Sequence, residues 1–534
     1  MRITKLTLKA FRGISDKLEL PIGGHNMLIY GENGSSKSSL ARALELLFDP
    51  RDTCALEPHR NLFTTSVPSI IAEFEGHVTN IRPSDGKKFP KKKMEKVEWT
   101  AGSAKPLPAW LLSSSARSAF LDHRKLLLLS DRERDLSESF FLTAVQHLFA
   151  YLTAGTTNKR LSVLWAEIQD GVKTYNKARQ QRGQSAETGT LDPVAHYKPI
   201  EDAINTLNAA LDEYLLPQGK KPTPLVAEAQ RLLGMFENLQ LQIALEFEHL
   251  TFNRHDGTLS GGLLHPHVTF CKKELGAAVN GGWVASHQHV LNEARLTALA
   301  LALFFAAVRL QDQIQYVPGA TDPEQPARLL VLDDVLVGLD YDHRIPVLKI
   351  LRAEFLKAKR FQLVLLTHNR EWFDYCRLKM GQRQWTSAEI YAKREAGPEN
   401  SDYPMRKESS SNLVKRARDF LDVEHELPAA ANYARTAIEW ALKELCAQKH
   451  LPIPFNLEPY KHDTDEFLAA LTGRRTGRKS RRKIVRKDLQ TDLEALRKTV
   501  LNAYSHWHPT TAVESDIRQA IAVAEKLVKL AQSA

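Results

Sequence analysis

The chain has 534 residues, 43% of them hydrophobic and 25% charged, with a formal net charge of +10. That length supports two to four domains with substantial cores, the composition excludes a disordered or collagen-like chain, and the positive balance favours an anionic partner. Cys54, Cys271, Cys376 and Cys446 lie too far apart for metal-ligand spacing or a disulfide framework, and no apolar run is long enough to span a bilayer, which together suit a protein of the reducing cytoplasm.

The opening residues, MRITKLTLKAFRGI, alternate as a strand does and lack the apolar core of a signal peptide. Residues 27–30 are apolar and lead into GENGSSKSS at 31–39, after which residues 40–48 have helical spacing. A strand, a glycine-rich turn and a helix in that order make a phosphate-binding loop. Asn33, Gly34, Ser35, Ser36, Lys37, Ser38 and Ser39 are expected to surround a polyphosphate, aided by the positive end of the helix dipole. Lys37 is expected to reach the β- and γ-phosphates and the Ser38 hydroxyl to ligate Mg²⁺, so ATP and Mg²⁺ are the expected cofactors. The usual pattern has Gly just before the Lys. Here Ser36 stands there, which asks a residue with a side chain to take a tight backbone geometry.

Lys87, Lys88, Lys91, Lys92, Lys93 and Lys96 crowd a predicted hairpin connection, read either as a solvated turn or as a nucleic-acid contact. Residues 151–240 carry helical stretches at 161–175 and 200–215, broken by polar and proline-rich segments, and are predicted to form a helical insertion. Strand-like runs at 241–252 and 267–271 leave the LSGG text of residues 259–262 in a predicted hairpin loop. LNEAR at 291–295 opens a long apolar helix. Only this second segment directs a helix N-terminus at a γ-phosphate, so Asn292 and Glu293 are the expected contacts and LSGG a chance match.

Residues 329–332 form a buried-strand run ending in Asp333 and Asp334, the pattern of a Walker B strand. Asp333 is expected to hold the Mg²⁺ shell, and Asp334 to orient or deprotonate the attacking water, a role often given to the longer Glu. A further apolar strand at 361–366 ends in Thr367, His368 and Asn369, which sets His368 beside the γ-phosphate as a catalytic switch residue. Residues 396–412 look like a linker, and residues 413–534 like an all-helical bundle. Within the bundle, Arg435 and Glu439 lie one turn apart and NAYSH ends at His506. Residues 473–488 hold nine Lys or Arg and one acid, a density that attracts phosphate backbones.

The strand ending in Phe11, Arg12 and Gly13, then GENGSSKSS, LNEARLTALALAL, LVLDDVLVGLD and LLTHN occur in this order, and over about residues 1–395 the chain resembles the SMC/RecF-like branch of ABC ATPases. The resemblance implies an α/β fold: a P-loop ABC/SMC-type ATPase head whose halves, 1–150 and 241–395, are separated by the insertion at 151–240. It also implies ATP-driven head-to-head dimerisation, with Asn292 and Glu293 contacting nucleotide in trans and Asp340 at the seam. The AFLDHR segment at 119–124 lies where relatives carry a nucleotide-sensing loop.

Residues 413–534 resemble HEPN ribonuclease domains, in particular those of bacterial anticodon nucleases. That resemblance implies metal-free RNA cleavage in which His506 moves a proton, Arg435 stabilises the phosphorane charge and Glu439 orients Arg or His. Leu501 departs from the pattern, because HEPN nucleases carry Arg before the Asn of the His motif. Compact ATPases of this build resemble sensor subunits of prokaryotic antiviral systems such as Septu, PARIS and retron-linked ATPases. The expected partners are a second copy of the chain, a nucleic acid with tRNA or other RNA favoured, and a separately encoded effector nuclease. Three readings stay open: an ATPase gating its own RNA-cutting domain, an oligomeric scaffold holding an effector nuclease, and a DNA-repair ATPase.

Overall fold

The computed structural model describes residues 1–49, 51, 55–81, 88–115, 117–127, 136–155, 157, 159–184, 193–216, 223–236, 239–275, 278–279, 283–284, 291–315, 327–339, 341–356, 361–380, 384–394, 402–407, 411–453, 464–472, 487–496 and 513–533. They divide into two compact units, Met1–Arg406 and Lys407–Ala534.

The strands, in chain order, are β1 (Arg2–Phe11), β2 (Ile14–Pro21), β3 (Asn26–Gly31), β4 (Ser69–Ile81), β5 (Lys88–Thr100), β6 (Ala119–Asp122), β7 (Leu241–Asn253), β8 (Thr258–Phe270), β9 (Lys273–Leu275), β10 (Ala278–Val279), β11 (Trp283–Val284), β12 (Leu329–Asp333), β13 (Gln362–Thr367), β14 (Trp385–Arg394) and β15 (Asp402–Lys407). A six-stranded sheet runs β15-β14-β3-β13-β12-β6. The pairs from β14 through to β6 are all parallel. Every residue of β3, β12 and β13 is buried. Strands covered on both faces need unbroken apolar runs, which is why their sequences do not alternate. A second sheet, β2-β1-β4-β5, is antiparallel and a third joins β7, β8 and β9.

The insertion contains the helices Leu161–Gln184, Pro193–Leu215 and Pro224–Leu233. Ile168, Ile200, Leu207 and Leu232 bury into the same core as the six-stranded sheet. The helix Glu293–Gln315 is apolar around its circumference, and Ala298 to Ala307 are buried without a break. Such a helix can only sit inside a core.

Three expectations are corrected. Lys88, Lys91, Lys92, Lys93 and Lys96 belong to strand β5 rather than to a connection. Lys92 pairs with Glu75 at 2.9 Å, Lys93 with Glu95 at 2.9 Å and Lys96 with Glu98 at 2.7 Å, so much of that charge is balanced locally. LSGG lies within β8, while the hairpin turn is at 254–257. Gly261 and Gly262 have φ of +69° and +65°, and a Cβ on Gly261 would stand 2.2 Å from the His249 carbonyl oxygen, so these glycines serve strand packing. The expected linker at 396–412 carries β15, which neighbours β14 at the sheet edge, and the start of the helix Ser411–Asp422.

The second unit contains the helices Ser411–Asp422, Leu427–Gln448, Thr464–Thr472, Lys487–Leu496 and Glu514–Ser533 around one apolar core that includes Ala434, Ile438, Leu445, Ile521 and Leu527. Its all-helical character was legible in the sequence; the short helix Thr464–Thr472 was not. Among the described residues, no helix is long and apolar enough to cross a membrane.

Candidate nucleotide site

Strand β3 delivers the chain into the phosphate-binding loop, and the helix Lys37–Leu47 leaves it. Gly34 has φ +87° and Ser36, at the helix N-cap, has φ +68°. Ser36 therefore does take the left-handed geometry, at a cost of roughly 1–2 kcal/mol for an L-residue with a Cβ. Gly13 makes room for it, since a Cβ there would lie 2.3 Å from Ser36 Oγ. The Phe11, Arg12, Gly13 turn is thus packed directly on the loop, and Gly13 N donates to Ser39 Oγ at 3.3 Å.

Lys37 is buried, and its Nζ donates to the carbonyls of Gly31 at 2.6 Å and Glu32 at 3.1 Å. It also lies 3.6 Å from Asp334 Oδ2. Asp334 follows β12 with φ +53°, and its backbone N–H donates to Leu366 O at 3.0 Å, which pins the turn to β13. Its Oδ1 accepts from the His368 backbone N–H at 2.8 Å and lies 2.9 Å from His368 Nδ1. Lys37, Asp334 and His368, predicted from three separate motifs, are consecutive members of one contact chain because β3, β13 and β12 are neighbours in the sheet.

Asp333 is buried, and its Oδ1 has no hydrogen-bond partner. Burial pushes its carboxyl up to about 6; a hydrogen bond with Ser38 opposes this, and the nearby charges of Asp334 and Asp122 add to it. An orphaned carboxylate oxygen beside a hydroxyl and further carboxylates is what a hard divalent cation would relieve. Among the described residues no three His, Cys, Asp or Glu form a protein-only metal cluster. Mg²⁺ at phosphate sites takes one or two protein ligands and completes its shell with phosphate and water, so Asp333 and Ser38 fit it. The Ser35 Oγ is likewise buried without a hydrogen-bond partner, close against Gly31.

Asp122 falls in the 119–124 segment expected to sense nucleotide but is not singled out there as a site residue. It stands opposite Asp333 in the register of β6 and β12, a juxtaposition made by strand pairing over more than 200 positions. The visible signal was an apolar strand, 119–121, ending in a carboxylate as β12 does.

Asn292 caps the helix Glu293–Gln315, its Oδ1 accepting from Arg295 N at 3.0 Å. Glu293 packs against the turn after β12: a Cβ on Gly338 would be 2.7 Å from Glu293 Oε1. The expected helix N-terminus therefore exists and abuts the segment leading from Asp334. Asp340 lies outside the described residues, as do His506, Leu501 and the basic stretch 473–486. In the second unit, Arg435 Nε donates to Glu439 Oε1 at 2.8 Å, with both side chains 30% exposed.

No family model matches the chain, and no curated protein matches it. Among solved structures, the chain is similar to the recombination mediator RecF with ATP, at 12% identity and a TM-score of 0.43, over 76% of this chain and 98% of that one. It is also similar to an Smc head bound to the C-terminal winged-helix domain of ScpA, at 12% identity and a TM-score of 0.35, over 77% and 99%. A third likeness is to the Pyrococcus furiosus Smc head with an extended coiled coil, bound to the C-terminal domain of ScpA, at 12% identity and a TM-score of 0.37, over 79% and 100%. These are likenesses in the course of the chain.

Proposed function

We propose that the chain binds and hydrolyses ATP with Mg²⁺ as SMC/RecF-like ABC ATPases do, closing over nucleotide by pairing with a second copy of itself. The observation that carries this reading is the contact chain from Lys37 through Asp334 to His368 beside the orphaned Asp333 carboxylate. A polyphosphate in the loop would draw Lys37 Nζ away from Gly31 O, Glu32 O and Asp334. Asp334 Oδ2 would then be free to accept a proton from water, while His368 holds Oδ1 and so fixes the carboxylate plane. Asp333 and Ser38 would hold Mg²⁺, which supplies charge neutralisation at the phosphate oxygens. Asn292, Glu293 and Asp340 are assigned to the contact between two copies.

The setting we propose is antiphage defence, with the ATPase as sensor or regulator of RNA cleavage by the C-terminal bundle or an associated effector; this rests on the motif resemblance. A second reading, in which the bundle is an assembly module for a separate nuclease, is favoured by Arg435 and Glu439 being closed on each other as an ordinary i,i+4 pair. Purified protein and a His506→Ala variant incubated with total tRNA, with and without ATP and Mg²⁺, separate the two. ATP-dependent cuts lost in the variant support the nuclease. Absence of cuts alongside measured ATP turnover counts against autonomous cleavage and directs attention to an effector.

A further inference from the structure

Beside the metal end of the phosphate-binding loop is a cavity of about 110 Å³, lined by Ser38 and Asp333 and by three arginines, Arg12, Arg42 and Arg124. That volume takes several water molecules, and so a tetrahedral anion. We infer that this cleft is a second phosphate-binding site, separate from the cradle formed by the loop, in which Arg12 and Arg124 grip a phosphate group with Arg42 behind them.

The charges facing the cavity do not cancel. Arg42 pairs with Glu45 at 2.7 Å, and Lys125 pairs with Glu45 at 2.9 Å and Asp122 at 3.6 Å, so two cations are matched by two acids. Asp333 is a third carboxylate on the lining, so four cations face three acids. Arg12 and Arg124 are left over, and among the described residues neither side chain makes an ion pair or hydrogen bond. Burial, then the nearby Arg42 and Arg124, lower the pKa of Arg12 against an opposing pull from Glu45, and burial with Arg42 and Arg12 lowers that of His59 at the same edge. Arg12 and Arg124 stand exposed at the mouth of this cleft without a direct ion-pair partner among the described residues, and their forked donors match phosphate oxygens.

The grip is also pre-set. Arg12 has φ +49°, its backbone N–H donates to His59 O at 2.7 Å, and its carbonyl accepts from Asn61 Nδ2 at 2.5 Å. The same Asn61 Oδ1 accepts from Phe63 N at 2.8 Å, and holds out the exposed Leu62 and Phe63 from that edge. A phosphate group here has two sources: inorganic phosphate leaving the hydrolysis site through the cleft, or a phosphodiester of a single-stranded nucleic acid whose base rests on Phe63.

The test is calorimetric titration of inorganic phosphate into three forms of the full chain: wild type, Lys37→Ala, and the double variant Arg12→Ala with Arg124→Ala. Saturable binding that persists in Lys37→Ala and weakens at least tenfold in the double variant is expected. Binding lost in Lys37→Ala but kept in the double variant, or no binding to the wild type at all, would overturn the inference. An Arg124→Lys form, which keeps the charge, should bind more tightly than Arg124→Ala and guards against a folding artefact. ADP titrated in parallel reports on the loop itself, so a failure of the ATPase reading is seen separately. A labelled single-stranded oligonucleotide then identifies the source: displacement by phosphate and loss in the double variant mean a phosphodiester, whereas phosphate binding alone means released product.

Discussion

Replacing Asp333 with Asn should stabilise the metal-free protein while abolishing its response to Mg²⁺ and ATP. In the fold, burial raises this carboxyl from the ordinary 3.8 to about 6, against the Ser38 hydrogen bond and with help from Asp334 and Asp122. A carboxyl whose pKa is higher in the folded state loses stability as pH rises from the unfolded value through the folded one, because the unfolded chain releases the proton more readily. The penalty is largely absent below 3.8 and complete above about 6. Integrated between those limits it comes to about 3 kcal/mol at pH 7 and about 1.6 kcal/mol at pH 5. Asn is nearly isosteric and carries no charge, so the variant should gain close to that amount in urea unfolding at pH 7 with EDTA, followed by a probe within Met1–Arg406. The gain should shrink by about half at pH 5. Adding Mg²⁺ and ATP should raise the wild-type midpoint by mass action and leave the variant unchanged. A variant less stable than wild type at pH 7 in EDTA, or a gain that does not depend on pH, would refute the view that an uncompensated buried charge is kept there for a cation.

Other substitutions probe the frame around the site. In Gly31→Ala the new Cβ would lie 2.8 Å from Ile390 O and 3.1 Å from the Lys37 stem; denaturation should show a loss of about 1–3 kcal/mol, and ADP titration a weaker complex. Lys125→Met removes the partner of Glu45 and Asp122, and should cost about 3 kcal/mol in urea unfolding, toward the low end for breaking a buried pair because Arg42 still faces Glu45. Burial raises the Glu45 carboxyl but Lys125 and Arg42 outweigh it and hold it below the usual range, so the stability it lends is present at neutral pH and is lost on acidification below the ordinary glutamate pKa, a loss that should be smaller in Lys125→Met. Arg435→Ala should change the stability of the bundle by only about 0.3–0.5 kcal/mol by circular dichroism melting, as for a half-exposed i,i+4 pair on a helix surface.

The parts of the site legible in the sequence share one property: each is an unbroken apolar run with chemistry at its C-terminal end. Parallel strands buried on both faces cannot alternate, so β3, β12 and β13 announced both themselves and the residues they present, Lys37, Asp333, Asp334 and His368. What stayed hidden depends on register between distant segments. Nothing near Asp122 says that it faces Asp333, and nothing near Arg12 or Arg124 says that they line one cavity. The lysines of β5 were misplaced for a different reason. Lys93, Lys96 and the intervening Glu95 read as a charge run, whereas along a strand Lys93 pairs with Glu95 on one face and Lys96 with Glu98 on the other, exposed face, so the charges are matched in place.

The most direct test of the central claim is Mg²⁺-dependent phosphate release from ATP by the wild type and by Asp334→Asn, measured with ATP affinity in the same preparations. Turnover by the wild type that is lost in Asp334→Asn, with ATP still bound and a longer-lived pairing of two copies, is the predicted result. Equal turnover in both proteins, or no ATP binding by the wild type, would contradict it.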